Sequence, residues 1–329
     1  MRRMGRAATG LAAAVVLSLA ASGCVTIHGE REVVPSATEQ EAAEALAGFT
    51  AAYNAADKAY DPALDARHVT GALGAINQAG LKARQVNFPD GNPRHSPLEL
   101  TDARFLIPKK AGWPRWFVAD TDSNRDRDGD TRLDNRWLVV FVRAGVDDTW
   151  KAAYLAIVPP KDIPAVKLDA DGYAEPVAAD TSALAMAPRD LSRDYAAYLQ
   201  DGKPERFAAG PHTSVWRDTR AKSASRPGLS TQYLDQPLDS GAFAPLGLAT
   251  QDGGAMVFFT VKNFERQTAA DGVEIKVIPD VRALLSGEVK TTITKERVSS
   301  QLVSVPVDGG GEQPDILSRL TGLTAAKGS

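Results

Sequence analysis

The chain is poor in cysteine and histidine: its 329 residues hold one Cys, Cys24, and four His, His28, His68, His95 and His212. A single thiol excludes an internal disulfide framework and a four-cysteine zinc site, and histidines so widely spaced form no local metal motif. Aromatic residues make up only 7% of the chain, and neither sign of charge dominates, with 38 Lys plus Arg against 41 Asp plus Glu. The resulting formal charge of −3 leaves no electrostatic footprint for nucleic acid or for an anionic membrane surface. Also absent are Gly-x-Ser-x-Gly, Ser-x-x-Lys with its companion motifs, and His-Glu-x-x-His, so the hydrolase and peptidase families that carry them lose support. The apolar run Leu11 to Ala21 is too short for a spanning helix, which needs roughly 20 residues.

What is present is concentrated at the N-terminus. Arg2, Arg3 and Arg6 form a positive region, the apolar run follows, and Ala21-Ser22-Gly23 places small residues directly before Cys24. That order is the order of a secretory signal peptide. The segment Leu19-Ala20-Ala21-Ser22-Gly23-Cys24 resembles the lipobox of bacterial lipoproteins. The resemblance implies that Cys24 takes a diacylglyceryl thioether and becomes the mature N-terminus once residues 1–23 are removed. The chemistry requires a thiol nucleophile at the membrane surface, flanked by residues small enough for a narrow peptidase site. An ordinary secretory peptide with an incidental cysteine is the alternative. One acyl chain binds membranes marginally and two or more hold stably, so an anchor carrying chains such as palmitate would fix the protein to the bilayer. The expected location is the extracytoplasmic face of the cell membrane. Arg2-Arg3 is followed by Met4-Gly5-Arg6, without the apolar pair of a twin-arginine signal, which favours the general secretory route.

Beyond the anchor, residues 24–37 read as a polar tether. A first α+β domain spans 38–160. It opens on the capping-box pattern Thr38-x-x-Glu41, ahead of Ala45, Leu46, Phe49, Ala52, Tyr53 and Ala56 on one helical face. A second helical stretch, about Pro62 to Arg84, is interrupted by Gly71, Gly74 and Gly80. Strands are expected at Leu98 to Ile107, Trp113 to Ala119, Arg136 to Arg143 and Trp150 to Val158. A linker covers 161–188. The second α+β domain, 189–307, restarts with a helix after Asp190, passes a turn-rich segment at Gly210 to Arg226, and continues with strands. Those are expected near Leu229 to Asp235, Ala244 to Thr250, Ala255 to Arg266, Glu288 to Glu296 and Val298 to Val305. Residues 308–329 read as a flexible joint at Gly309-Gly310-Gly311 and a short amphipathic helix bearing Ile316, Leu317, Leu320 and Leu323. Phe49 to Tyr53 and Tyr195 to Tyr198 occupy matching places in the two halves, as do Trp137 to Phe141 and Met256 to Phe259. Duplication and convergent composition both account for this.

Two tandem units of helix followed by antiparallel sheet define an α+β fold. The order resembles the nuclear transport factor 2-like (cystatin-like) domains, and the resemblance implies a bent sheet wrapped around a helix, able to enclose a pocket. Such folds host isomerases, carriers and structural modules alike. The chain as a whole is similar to uncharacterised actinobacterial lipoproteins with a domain of unknown function. The residues carrying that likeness are Cys24 to Glu32, Lys58 to Asp65, Thr70 to Leu73, Gly112 to Asp120 and Gly322 to Gly328. It implies a membrane lipoprotein and supplies no catalytic residue.

Internal chemistry is sparse. Asp120, Asp122, Asn124, Asp126, Asp128 and Asp130 alternate as in the start of a calcium loop, with Gly129 at the turn. The twelfth position, however, is Asn135 in place of a glutamate, and Arg125, Arg127 and Arg132 are interleaved; a solvated hairpin loop over Asp120 to Asp134 is the competing reading. His68 or His95 with Asp61 or Asp65 would make an acid–base pair, and His212 is a further isolated candidate. Trp113, Trp116, Trp137 and Trp150 cluster in the first half as aromatic stripes usually do in a core, with a pocket mouth or a sugar-binding surface as the alternative for Trp113-Pro114-Arg115-Trp116. The function expected is a non-enzymatic module that binds a small ligand or an envelope protein, with Cys24 as its one assigned site and no cofactor or metal. The alternatives are an isomerase- or hydrolase-like enzyme with a pocket in the first domain, and a structural envelope component.

Overall fold

A computed structural model describes residues 32–127, 129–130 and 133–329; the lipobox and Cys24 lie outside the described residues. In chain order the elements are β1 (Val34–Pro35), α1 (Glu39–Ala59), α2 (Gly71–Asn87), β2 (Leu100–Leu106), β3 (Lys109–Lys110), β4 (Arg115–Ser123), β5 (Arg136–Arg143) and β6 (Lys151–Val158). The second half adds α3 (Leu191–Asp201), α4 (Ser214–Ser223), β7 (Ser225–Arg226), β8 (Leu229–Leu238), β9 (Leu246–Ala249), β10 (Ala255–Ala269), α5 (Pro279–Ala283), β11 (Leu285–Ser286), β12 (Thr292–Val305) and β13 (Asp315–Gly328). The architecture is mixed α and β, with antiparallel sheets and few helices, and among the described residues no sheet closes into a barrel. Besides the two-stranded β1–β3 pair, one sheet has the order β2-β4-β5-β6 and another runs β11-β13-β12-β10-β8-β7, with β9 also paired to β10. Only the short β11–β13 pairing is parallel within these two sheets.

The capping box forms as the sequence predicts. The Glu41 amide donates to Thr38 Oγ1 at 3.1 Å, and the Thr38 amide donates to Glu41 Oε2 at 2.8 Å, so two free donors at the start of α1 are satisfied. The stretch expected as a helix from Pro62 is a 3-10 turn at Pro62–Leu64 followed by α2. Between them Thr70 N–H donates to the Ala152 carbonyl and Ala152 N–H to that of His68, so the chain pairs with β6 before it coils. Gly71 opens α2 at φ +56°, and a Cβ there would sit 2.5 Å from the Ala242 carbonyl oxygen. Only glycine meets both conditions.

Alternation along β4 and β5 then decides the layers. Trp116, Val118, Leu138 and Val140 face the second sheet, where Met256, Phe258 and Leu302 receive them. Their neighbours Phe117, Val139 and Phe141 face α1 and meet Phe49. Phe117 and Phe141 are register partners whose rings stack with centroids 5.0 Å apart. The space between α1 and its sheet is therefore filled by rings, each contributing roughly 1.5–3 kcal/mol of burial. On the far side of the second sheet Val257, Phe259 and Val303 meet Tyr195, Tyr198 and Leu199 of α3. Helix, sheet, sheet and helix thus lie in succession. Helix α2 packs against β6 and the β12–β13 hairpin together. Segment 161–188, expected as a linker, ties the halves through backbone bonds: Ala174 N–H to the Ile107 carbonyl, Val177 N–H to that of Gly247, and Ala185 N–H to that of Pro306.

Three local expectations are corrected. The C-terminal amphipathic helix is instead the 14-residue strand β13, antiparallel to β12. It is buried on both faces: Ile316 joins the core beside α3 and Leu317 the core between the sheets, so its apolar positions mimic helical spacing. Gly322 sits where a Cβ would collide with Ile76 of α2. The strands expected at Glu288 to Glu296 and Val298 to Val305 are one element, β12, in unbroken register with β10, while the bulges of the β12–β13 pairing leave Leu317 and Thr324 of β13 without a register partner. The turn-rich segment Gly210 to Arg226 contains helix α4.

Candidate functional site

The helices and sheets leave a cleft of about 480 Å³ where the end of the first sheet meets the loop before β9. Trp113 and Pro114 precede β4, Val142 lies near the end of β5 and Ala144 follows it, Asp148 and Thr149 lie in the β5–β6 turn, and Lys151 opens β6. Thr70, ahead of α2, and Gly241, Ala242, Ala244 and Leu246 form the facing wall, and Tyr154 lines the depth of the cleft. This volume lies in the range of small-molecule sites, roughly 300–1,000 Å³. A depression of about 720 Å³ beside Gln232 and Phe264 is larger and more open to solvent.

The walls are held rigidly. The Tyr154 hydroxyl donates to the Ala244 carbonyl at 2.8 Å, joining β6 to the loop before β9, and burial pushes its pKa up so that it stays neutral. Arg115 and Arg143 are register partners across β4 and β5. Their guanidinium carbons lie 4.7 and 5.2 Å from the Trp113 ring centroid, and that of Arg143 lies 4.8 Å from Trp150. Such cation–aromatic contacts contribute roughly 0.5–2 kcal/mol each and fix the indole at the mouth. Among the described residues the Lys151 ammonium and the Asp148 carboxylate make no hydrogen bond or ion pair, with each other or with any other group.

The sequence-derived candidates scatter around this cleft without meeting in it. His68 lines an adjoining smaller hollow of about 270 Å³, which shares Asp148 and Thr149 with the cleft and adds Glu41, Gly48, Arg143 and Trp150. Burial and Arg67 lower the pKa of His68. Neither Asp61 nor Asp65 pairs with a histidine side chain. Asp61 caps the 3-10 turn by accepting from the Ala63 amide at 2.9 Å. Asp65 is fully buried, accepts from the side-chain amides of Asn77 and Gln78, and is pushed up to about 6 by burial. His95 finds Asp57 instead: Nδ1 lies 2.9 Å from Asp57 Oδ2, which also accepts from Asn92 at 2.9 Å. That pair lines neither hollow. His212 is remote in the second half, its pKa lowered by burial and then by Arg319.

The acidic run is drawn into the sheet. Asp120 binds Arg136 Nε at 2.6 Å and Arg104 Nη2 at 2.8 Å, and Asp126 Oδ2 accepts from the Asn135 amide at 2.6 Å. Among the described residues no group of three or more His, Cys, Asp or Glu is arranged to hold a metal ion; Asp128 lies outside them. Of the tryptophans, Trp116 and Trp150 are core residues and Trp137 packs on the core, whereas Trp113 lines the cleft.

Sequence reasoning missed a charge cluster in the second half. Arg220 on α4 is buried and forks onto Asp235 of β8, at 2.5 and 2.9 Å, while Asn263 donates to the same carboxylate at 3.1 Å. Trp216, one turn earlier, is covered by Arg220 at 5.0 Å and by Arg319 at 4.0 Å. The i, i+4 spacing of Trp216 and Arg220 was the available signal, legible only once α4 is recognised.

Fold and cleft together define an α+β protein with a small-molecule-sized opening between its halves and no described helix long and apolar enough to cross a membrane. The chain belongs to the family described as domain of unknown function (DUF8094), whose model matches residues 33–328. It is 56% identical over 328 residues to an uncharacterized lipoprotein of Streptomyces coelicolor, covering 99% of this chain and 97% of that one. An uncharacterized lipoprotein of Streptomyces avermitilis is 53% identical over 330 residues, covering 100% and 97%. A second uncharacterized lipoprotein of Streptomyces coelicolor is 26% identical over 349 residues, covering 96% and 92%. These names support a lipoprotein, with a membrane-anchored or envelope location.

Proposed function

We propose that this protein is a lipoprotein, exported through its N-terminal signal, acylated at Cys24 and held on the extracytoplasmic face of the membrane, where it acts as a non-enzymatic binding module. The lipobox-like segment before Cys24 and the lipoprotein names of the relatives support the anchor. The observation that carries the binding role is the cleft at Trp113: it is walled largely by apolar side chains, braced by arginines, and lined by no histidine. An enzyme of the isomerase or hydrolase type using a carboxylate and a histidine would need the histidine in that lining beside Asp148. The helix-then-sheet order of each half is compatible with nuclear transport factor 2-like ancestry, and since rings fill the space under α1, the ligand site is assigned to the junction of the halves.

Thermal-shift screening of a diverse small-molecule library tests the reading. Hits should raise the melting temperature of the wild-type protein and fail with Ala144→Trp, which places an indole in the cleft. Hits that survive this plug, or an empty screen, would refute binding at this site and favour a structural role.

A further inference from the structure

The cleft carries two opposite charges that ignore one another. Asp148 and Lys151 stand three residues apart on the β5–β6 hairpin, line the same wall, and form no ion pair within 4.0 Å. Elsewhere the protein pairs such groups readily: Lys109 meets both Asp169 and Asp171, and Lys295 meets Glu265. Opposite the charged wall stand Leu246 and Ala244, with Trp113 and Pro114 at the mouth. A ligand of one charge would satisfy one of the two groups and be repelled by the other. A neutral apolar ligand would pair with neither.

Resting on the cleft as the binding site, we infer that its ligand is a zwitterion, an amino acid or peptide of two or three residues with apolar side chains. Its carboxylate meets Lys151, its ammonium meets Asp148, and its side chains lie against Trp113 and Leu246. The volume of about 480 Å³ admits a di- or tripeptide and leaves a single small amino acid loosely held.

Calorimetric titration with Leu-Leu, N-acetyl-Leu-Leu and Leu-Leu-amide tests this. Leu-Leu should bind saturably, and each blocked peptide should bind at least about tenfold more weakly, since each loses one charge-assisted contact. Lys151→Met should lose the preference over the amide while keeping that over the acetyl form, and Asp148→Asn should do the reverse. Both side chains lie at the rim, and a melting curve matching the wild type verifies that each variant folds. Equal binding of all three peptides overturns the zwitterion inference and leaves the cleft as a site. Failure of the peptides together with Ala144→Trp-sensitive binding of an uncharged probe, n-octanol, does the same. Absence of binding by both peptides and octanol overturns this inference and the cleft reading together.

Discussion

Asp65 gives the sharpest test of the physical reading. Its carboxyl is fully buried beneath the junction of α1 and α2, touched by two amide donors and by no cation, and burial lifts its pKa from 3.8 to about 6. The folded protein thus binds this proton more tightly than the unfolded chain. Its contribution to stability is complete below about pH 4 and is lost as pH rises towards and through 6. A shift of this size corresponds to about 3 kcal/mol at neutral pH. Other carboxyls act in the opposite sense: Asp102, Asp169 and Asp252 are held below their usual values by Arg136, Lys109 and Thr250, so their contributions fade only as pH falls. The difference between wild type and Asp65→Asn isolates the one group. The variant cannot ionise but turns an NH₂ towards one of its two amide donors, a penalty of about 1 kcal/mol. It should be less stable than wild type at pH 4 and more stable by about 2 kcal/mol at pH 7, with the crossing between. Urea unfolding at half-unit steps from pH 4 to 7.5 measures this. A difference that does not change with pH, or one that favours the wild type increasingly as pH rises, would refute the argument.

Three further outcomes follow from single sites. Cys24→Ala should abolish incorporation of radiolabelled fatty acid in the producing cell, and persistent labelling would show that the anchor lies elsewhere. Asp235→Ala leaves the Arg220 guanidinium buried and unpaired. It should cost about 3–5 kcal/mol in denaturant unfolding, whereas the paired replacement Arg220→Met with Asp235→Leu should recover most of the loss. Gly71→Ala confronts both a positive φ and the Ala242 carbonyl 2.5 Å from the new Cβ. It should destabilise by more than about 1 kcal/mol and weaken any ligand of the cleft, because α2 and residues 241–246 must part; unchanged melting would refute the close approach.

How far the fold was legible depended on how many faces each element buries. Strand β5 was read with its observed ends, Arg136 to Arg143, because an apolar run between polar ends has few other solutions. Helix α1 was equally plain, since its capping box is a local chemical signature and its buried residues Ala42, Leu46, Phe49 and Ala56 follow one stripe. Strand β13 was not legible. Ile316, Leu317 and Leu320 enter three different cores, a distribution that erases alternation and imitates a helix. Its β-branched Thr321 and Thr324 were a weaker signal that pointed the right way. The break at Gly71 was half visible: the glycines marked a weak point, but the reason, a carbonyl arriving from residue 242, is long-range and leaves no local trace.

The site was less legible than the fold for a related reason. The segment Trp113 to Trp116 offered a pocket mouth only as the alternative to core, and what puts Trp113 but not Trp116 at the mouth is the convergence of Arg115 and Arg143 from two strands with the loop at 241–246. The histidines were candidates for pairing with Asp61 or Asp65 as groups of one half able to approach in space, and His95 instead reaches back to Asp57 through the Asn92 turn. Residue type was a poor guide because Asp65 already spends both oxygens on Asn77 and Gln78 of α2. A buried carboxylate satisfied by amides alone has no need of an imidazole, and burial raises its affinity for a proton although both amide bonds act in the opposite sense. Asp61, Asp65 and His95 thus serve the structure around α1 and α2, while among the described residues Asp148 and Lys151 stand unpaired at the cleft, in a hairpin that no motif marked.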